Sequence, residues 1–111
     1  MNNVTNISRH QLLDLVNRRA TVVFEALSES HWASGHIPGA FAMPLDRIAE
    51  VAGTRAPDKD AAVVVYCASV TCKNSDIAAQ KLVSLGYRSV AVYAGGKADW
   101  KDAGLELEVA R

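Results

Sequence analysis

The chain has 111 residues and a mass of 11.9 kDa; half of the residues are hydrophobic, and twelve basic side chains balance twelve acidic ones. That is the size of one domain with its own core, and it is too apolar for a disordered segment. Balanced charge without a basic stripe argues against a nucleic-acid partner, and no apolar run approaches the roughly 20 residues of a membrane span.

The amino end, Met1 to Asn6, is polar and lacks the charged-then-apolar layout of an export signal. Two cysteines in such a chain point to a reducing compartment, where thiols are catalytic or inert more often than cross-linked. The expectation is a soluble cytoplasmic protein of one domain, residues 1–111, with no cofactor and no membrane partner.

Ser8-Arg9-His10-Gln11 has the form of a capping box, opening a helix over about 9–19 with Leu12, Leu13, Leu15 and Val16 on one face. Thr21 to Glu25 is short and β-branched, a strand. Ser28 to Ser34 reads as a polar loop with one helical turn. His36-Ile37-Pro38-Gly39-Ala40 is a turn, with Pro38 fixing φ and Gly39 permitting a positive one. Phe41-Ala42-Met43 is a short strand ended by Pro44. Leu45, Ile48, Ala49 and Val51 form a short helix, and Ala52 to Asp60 reads as a surface loop.

Ala62 to Tyr66 is a buried strand, and Asp76 to Leu85 a helix stopped by Gly86. Ser89 to Tyr93 is another strand, Gly95-Gly96 a turn, and Lys97 to Ala103 a helix carrying Trp100. Leu105 to Arg111 is a last short strand or an extended end. Strands alternating with helices predict an α/β protein whose mainly parallel sheet is covered on both faces.

Between the buried strand and its helix lies Cys67-Ala68-Ser69-Val70-Thr71-Cys72-Lys73-Asn74-Ser75. In open α/β sheets, ligands collect at the carboxyl ends of the strands. Free N–H groups at a helix start favour negative charge and lower a thiol pKa. Cys67 is therefore the candidate nucleophile, in an anion-binding loop formed by Ala68, Ser69, Val70, Thr71, Cys72 and Lys73.

Gly35-His36-Ile37-Pro38-Gly39-Ala40, Tyr66-Cys67 with its loop and helix, Leu85-Gly86-Tyr87, Gly95-Gly96 and Trp100 together resemble a single rhodanese domain. The resemblance runs from about Val22 to Leu107, after the amino-terminal helix. It implies a three-layer α/β/α fold with a five-stranded, mainly parallel sheet. It also implies that Cys67 accepts a sulfane sulfur as a persulfide from a small donor such as thiosulfate or another persulfide. A thiol or cyanide-like acceptor would then take the sulfur, with the backbone N–H groups of Ala68 to Lys73 ringing the cysteine. Such chemistry holds negative charge twice without a metal, which a nest of N–H groups at a helix start allows.

The chain also departs from that family. Many rhodanese loops run cysteine, two residues, glycine, one residue, arginine or threonine, then serine; here Val70 stands in place of the glycine, and Ser75 comes about two positions later. The family's strand-end Asp-Val-Arg is represented by Glu25-Ala26-Leu27, which keeps the acid and loses the arginine.

Cys72 lies five residues after Cys67. If the loop curls, the pair falls within the roughly 4.4–6.8 Å between Cα atoms that a disulfide needs. Cys72 is thus either a resolving thiol or a small semi-buried residue at a helix start, and the sequence leaves both open. Lys73 opposes the helix macrodipole, and either an incoming oxyanion or plain solvation accounts for it. Asp76 suits the first turn. His36 is assigned to fixing its turn rather than to base catalysis, and Trp32, Trp100 and Met43 to the core.

A second enzymatic reading rests on the Cys67-x5-Lys73 spacing, which is that of rhodanese-like dual-specificity phosphatases and would serve a phosphatase or arsenate reductase. Those loops end in arginine, and lysine lacks the planar fork that binds phosphate bidentately. A third reading is a non-enzymatic, redox-sensing or binding domain switched by the two cysteines. Zinc binding is not expected, because no ligand cluster is present.

Overall fold

Strand β4, Ala62–Tyr66, is an unbroken apolar run because every side of it is covered. Val63 and Val65 enter a core with Phe24, Met43, Ile48, Ala78 and Leu82. Val64 and Tyr66 point the other way, into a core with Leu12, Val23, Ile37, Tyr93 and Trp100. The two-residue period of a strand thus separates two hydrophobic layers, one on each face of the sheet.

The computed structural model describes residues 4–110. Around β4 the sheet contains β1 (Val4–Asn6), β2 (Val22–Glu25), β3 (Phe41–Ala42) and β5 (Ser89–Tyr93), in the order β1-β5-β4-β2-β3. Every neighbouring pair is parallel. The helices are α1 (Arg9–Asn17), α2 (Glu29–Ser34), α3 (Ile48–Arg55), α4 (Asn74–Ser84) and α5 (Gly96–Asp102). Helices α3 and α4 cover one face, while α1 and α5 supply Leu12 and Trp100 to the other. This is the three-layer α/β/α arrangement with a five-stranded sheet that the resemblance implied.

Local chemistry explains where the elements begin. The N–H of Gln11 donates to Ser8 Oγ at 3.1 Å, and the N–H of Ser8 donates to Gln11 Oε1 at 2.8 Å, completing the capping box of α1. Gly86, with φ of 100°, takes the left-handed conformation that ends α4. His36 fixes its turn as expected. Its ring Nδ1 lies 2.8 Å from the carbonyl of Trp32, and its backbone forms a two-way bridge to Glu108.

Four local expectations need correction. The fifth strand is β1, at the amino end; residues 105–110 form the extended end rather than a strand, bridged to His36 through Glu108 and to the Ala33 carbonyl through the Ala110 N–H. A three-residue edge strand with two exposed side chains carries no alternation to read. The segment from Ala52 to Asp60 is not all loop: α3 runs on through Gly53 to Arg55, because Ala52 is buried in the core and anchors that turn. Ser28 to Ser34 is a short helix with Ser28 as its cap, the N–H of His31 donating to Ser28 Oγ. Trp32 is only half buried, stacked on His36 with ring centroids 4.2 Å apart, and its Nε1 donates to the Ala40 carbonyl. Trp100 and Met43 are core residues. Among the described residues, no helix is long and apolar enough to cross a membrane.

Candidate active site

Cys67 is the first residue beyond β4 and is 1% exposed. Both flanks of its loop are tied to the body of the domain. On the near side, the N–H of Lys97 donates to the Cys67 carbonyl at 3.0 Å, and that of Ala98 donates to the Ala68 carbonyl at 2.9 Å. This backbone contact requires Gly96, whose φ is 64° and where a methyl group would overlap the Cys67 carbonyl. Gly95-Gly96 is therefore more than a turn: it lets α5 start against the cysteine. On the far side, Asn74 Nδ2 donates to the Ala26 carbonyl at 3.0 Å, fixing the start of α4 to the end of β2.

Between these anchors the loop makes a tight turn, with the N–H of Cys72 donating to the Ser69 carbonyl at 3.1 Å and the hydroxyls of Ser69 and Thr71 3.0 Å apart. Among the described residues, the N–H groups of Ala68, Ser69, Val70 and Thr71 have no intrachain acceptor. Val70, in the glycine position of the common family loop, projects outward at 69% exposure. Lys73 caps α4 without a side-chain hydrogen bond and is exposed, as is Asp76 in the first turn.

The turn brings Cys72 back onto Cys67. The two form a disulfide, with Cα atoms 6.1 Å apart. Of the outcomes the sequence left open, the cross-link, the less frequent one in a reducing compartment, is the one formed, because five residues with a turn at Ser69–Cys72 suffice to close the ring. Cys67 is buried and Cys72 is partly exposed.

Under the loop lies a buried charged network not recognised as such in the sequence. Glu25, at the end of β2, is fully buried. Its Oε1 accepts from the Tyr66 hydroxyl at 2.6 Å, and that hydroxyl accepts in turn from the Ile37 N–H at 3.0 Å. Its Oε2 lies 3.2 Å from Lys97 Nζ, an ion pair without hydrogen-bond geometry. The Lys97 ammonium donates to the carbonyls of His31 at 2.9 Å and Gly35 at 2.7 Å. Burial, and then the neighbouring carboxylate, push the Tyr66 hydroxyl well above the usual phenol range, so it stays a donor. Lys97 thus holds Cys67 through its backbone and Glu25 through its side chain. The available signal was Glu25 itself: a charge closing an apolar strand needs a buried partner. Which cation supplies it, seventy-two residues away, is not written locally.

Beside the loop an open cavity of about 290 Å³ is lined by Gly35, Ala68, Lys97, Ala98, Lys101 and Leu107. Leu27, where the family has arginine, is half buried. Among the described residues, no group of three His, Cys, Asp or Glu side chains is placed to hold a metal.

A parallel five-stranded α/β domain with a cysteine loop at a strand end defines the class, and the family follows from sequence: the Rhodanese-like domain matches residues 8–103, so the chain belongs to that family. A solved structure of the Alr3790 protein from Anabaena sp. is 27% identical with a TM-score of 0.83, over 94% of this chain and 80% of that one. Thiosulfate sulfurtransferase from Pseudomonas aeruginosa is also 27% identical with a TM-score of 0.82; the match covers 97% of this chain but only 21% of that longer one. The human single-domain sulfurtransferase TSTD1 is 25% identical with a TM-score of 0.76, covering 87% of this chain and 95% of its own. No curated protein sequence matches the chain significantly.

Proposed function

We propose that the domain is a sulfurtransferase that carries sulfane sulfur as a persulfide on Cys67. The observation that carries this reading is the placement of a buried cysteine at the end of β4, under a clamped loop whose N–H groups from Ala68 to Thr71 have no acceptor among the described residues. The likeness to two named sulfurtransferases supports it. In the reduced protein the Cys67 thiolate attacks the outer sulfur of a donor such as thiosulfate, and sulfite leaves with the bonding pair. The loop donors stabilise the thiolate and then the persulfide, which is also anionic. Transfer to a thiol or cyanide-like acceptor completes a ping-pong cycle. In this reading Cys72 acts as the resolving thiol, which its bond to Cys67 supports.

The test is intact mass after reduction, removal of reductant and addition of thiosulfate. A Cys67→Ala variant should gain nothing under conditions in which the wild type releases sulfite. If neither protein releases sulfite or gains sulfur, this reading is wrong.

A further inference from the structure

The geometry points to a second half-reaction at this site: reduction of the bound sulfur to sulfide at the expense of the Cys67/Cys72 pair, with a dithiol as the ultimate reductant. This rests on the sulfurtransferase reading and extends it to the reducing substrate.

The observation is the bond between the two cysteines. A resolving thiol must reach the sulfur it attacks, and here Cys72 Sγ reaches Cys67 Sγ itself. In a persulfide that atom is the inner sulfur, so the reaction that geometry favours is displacement of the outer one. The Cys72 thiol passes its proton to the anionic outer sulfur, the resulting thiolate attacks Cys67 Sγ, the bond from Cys67 Sγ to the outer sulfur breaks, and hydrosulfide leaves with the electron pair. The sulfane sulfur gains two electrons, and the two cysteines lose two in becoming a disulfide. Simple transfer to an external acceptor would leave Cys72 without a part; this step accounts for its place in the loop.

The cycle then needs two electrons from outside, and the different burial of the two sulfurs sets where they enter. Cys67 is 1% exposed, whereas Cys72 is partly exposed and follows the outward-projecting Val70 and exposed Thr71. An incoming thiolate therefore meets Cys72, and Cys67 departs into the loop donors that stabilise its thiolate. The more stabilised thiolate is also the better leaving group, so access and leaving ability favour the same bond cleavage. The second thiol of the reductant resolves the mixed disulfide on Cys72 and returns the enzyme to its dithiol form. Summed over both half-reactions, thiosulfate and a dithiol give sulfite, hydrosulfide, one proton and the oxidised dithiol.

A single turnover without external thiol tests the step. Wild-type protein is reduced with dithiothreitol, freed of it, and mixed with thiosulfate; sulfite, sulfide and intact mass are followed together. The expected result is sulfide equal to sulfite, no lasting sulfur adduct, and a mass lower by two hydrogens. Cys72→Ser and Cys72→Ala should release sulfite, retain the added sulfur on Cys67, and lose at least tenfold in sulfide. A stable sulfur adduct on the wild type without sulfide would overturn the inference while leaving the sulfurtransferase reading intact. Sulfite absent from every variant would remove both. The point of entry is read separately, by treating the oxidised wild type with glutathione and mapping the mixed disulfide. Glutathione on Cys72 is expected, and glutathione on Cys67 would refute the assigned order of attack.

Discussion

Lys97 Nζ sits 3.2 Å from the fully buried carboxylate of Glu25, while the backbone N–H of the same lysine holds the Cys67 carbonyl. One residue thus joins the charge balance of the core to the position of the candidate nucleophile. Removing the ammonium by Lys97→Met leaves Glu25 without its counter-charge. Breaking a buried pair from one side typically costs about 3–5 kcal/mol, and the double variant Glu25→Gln/Lys97→Met should recover part of it. Urea unfolding of the three proteins measures both values; equal stability of wild type and Lys97→Met would refute the coupling.

Tyr66 should matter through its hydroxyl. Tyr66→Phe leaves Glu25 Oε1 and the Ile37 N–H without their partner and should cost about 1–3 kcal/mol. The pH dependence follows from the raised hydroxyl pKa. Its folded value exceeds its unfolded one, so the contribution is complete below about pH 10 and falls as pH rises beyond that. Thermal unfolding between neutral and strongly alkaline pH should show a shallower alkaline decline in Tyr66→Phe than in wild type.

Gly96 should tolerate no side chain. Gly96→Ala combines a positive φ with overlap onto the Cys67 carbonyl, and a backbone contact cannot yield as a flexible side chain does. A destabilisation of about 1–3 kcal/mol is expected, the scale of local backbone strain, together with slower sulfur loading of Cys67. Melting curves and the rate of sulfite release report the two effects. Gly39→Ala serves as the control for a strained φ alone: its φ is 83°, but nothing lies within 4 Å of an added methyl.

Asp99 predicts behaviour at acid pH. The Tyr93 hydroxyl donates to its carboxylate, and Arg9 pairs with it at 3.1 Å. The hydroxyl first, and the guanidinium after it, hold the carboxyl below its usual range. A depressed folded pKa means that the stabilisation is present above the unfolded value, about pH 4, and is lost as pH falls through the folded one. Asp99→Asn should therefore lower stability at neutral pH and show less further loss on acidification, read from melting temperatures across that range. An unchanged acid limb would show that the pair contributes nothing there.

Much was legible locally because local rules governed it. The capping box at Ser8 and Gln11, the continuous apolar run Ala62–Tyr66, and the stop at Gly86 each follow from a hydrogen bond, a burial pattern or a backbone angle that neighbouring residues dictate. Strand β1 was not legible, because three edge residues gain their structure only by pairing with Val90, Ala91 and Val92. The extent of α3 was obscured by Gly53, whose weak helix propensity is overridden by burial of Ala52 against the sheet.

The opening pair of residues marks the same division within the site. Sequence alone placed Cys67 at a strand end, in a short polar loop ahead of a helix, because those properties belong to consecutive residues. It also left Cys72 close enough to pair with Cys67 if the loop curls. Tertiary structure decided that the ring closes, that Gly96 and Lys97 grip the cysteine from another helix, and that Glu25 finds its counter-charge in Lys97. Those contacts join separate segments at the carboxyl edge of one sheet. Chain closure and burial select them, and no local pattern in the sequence specifies the partner.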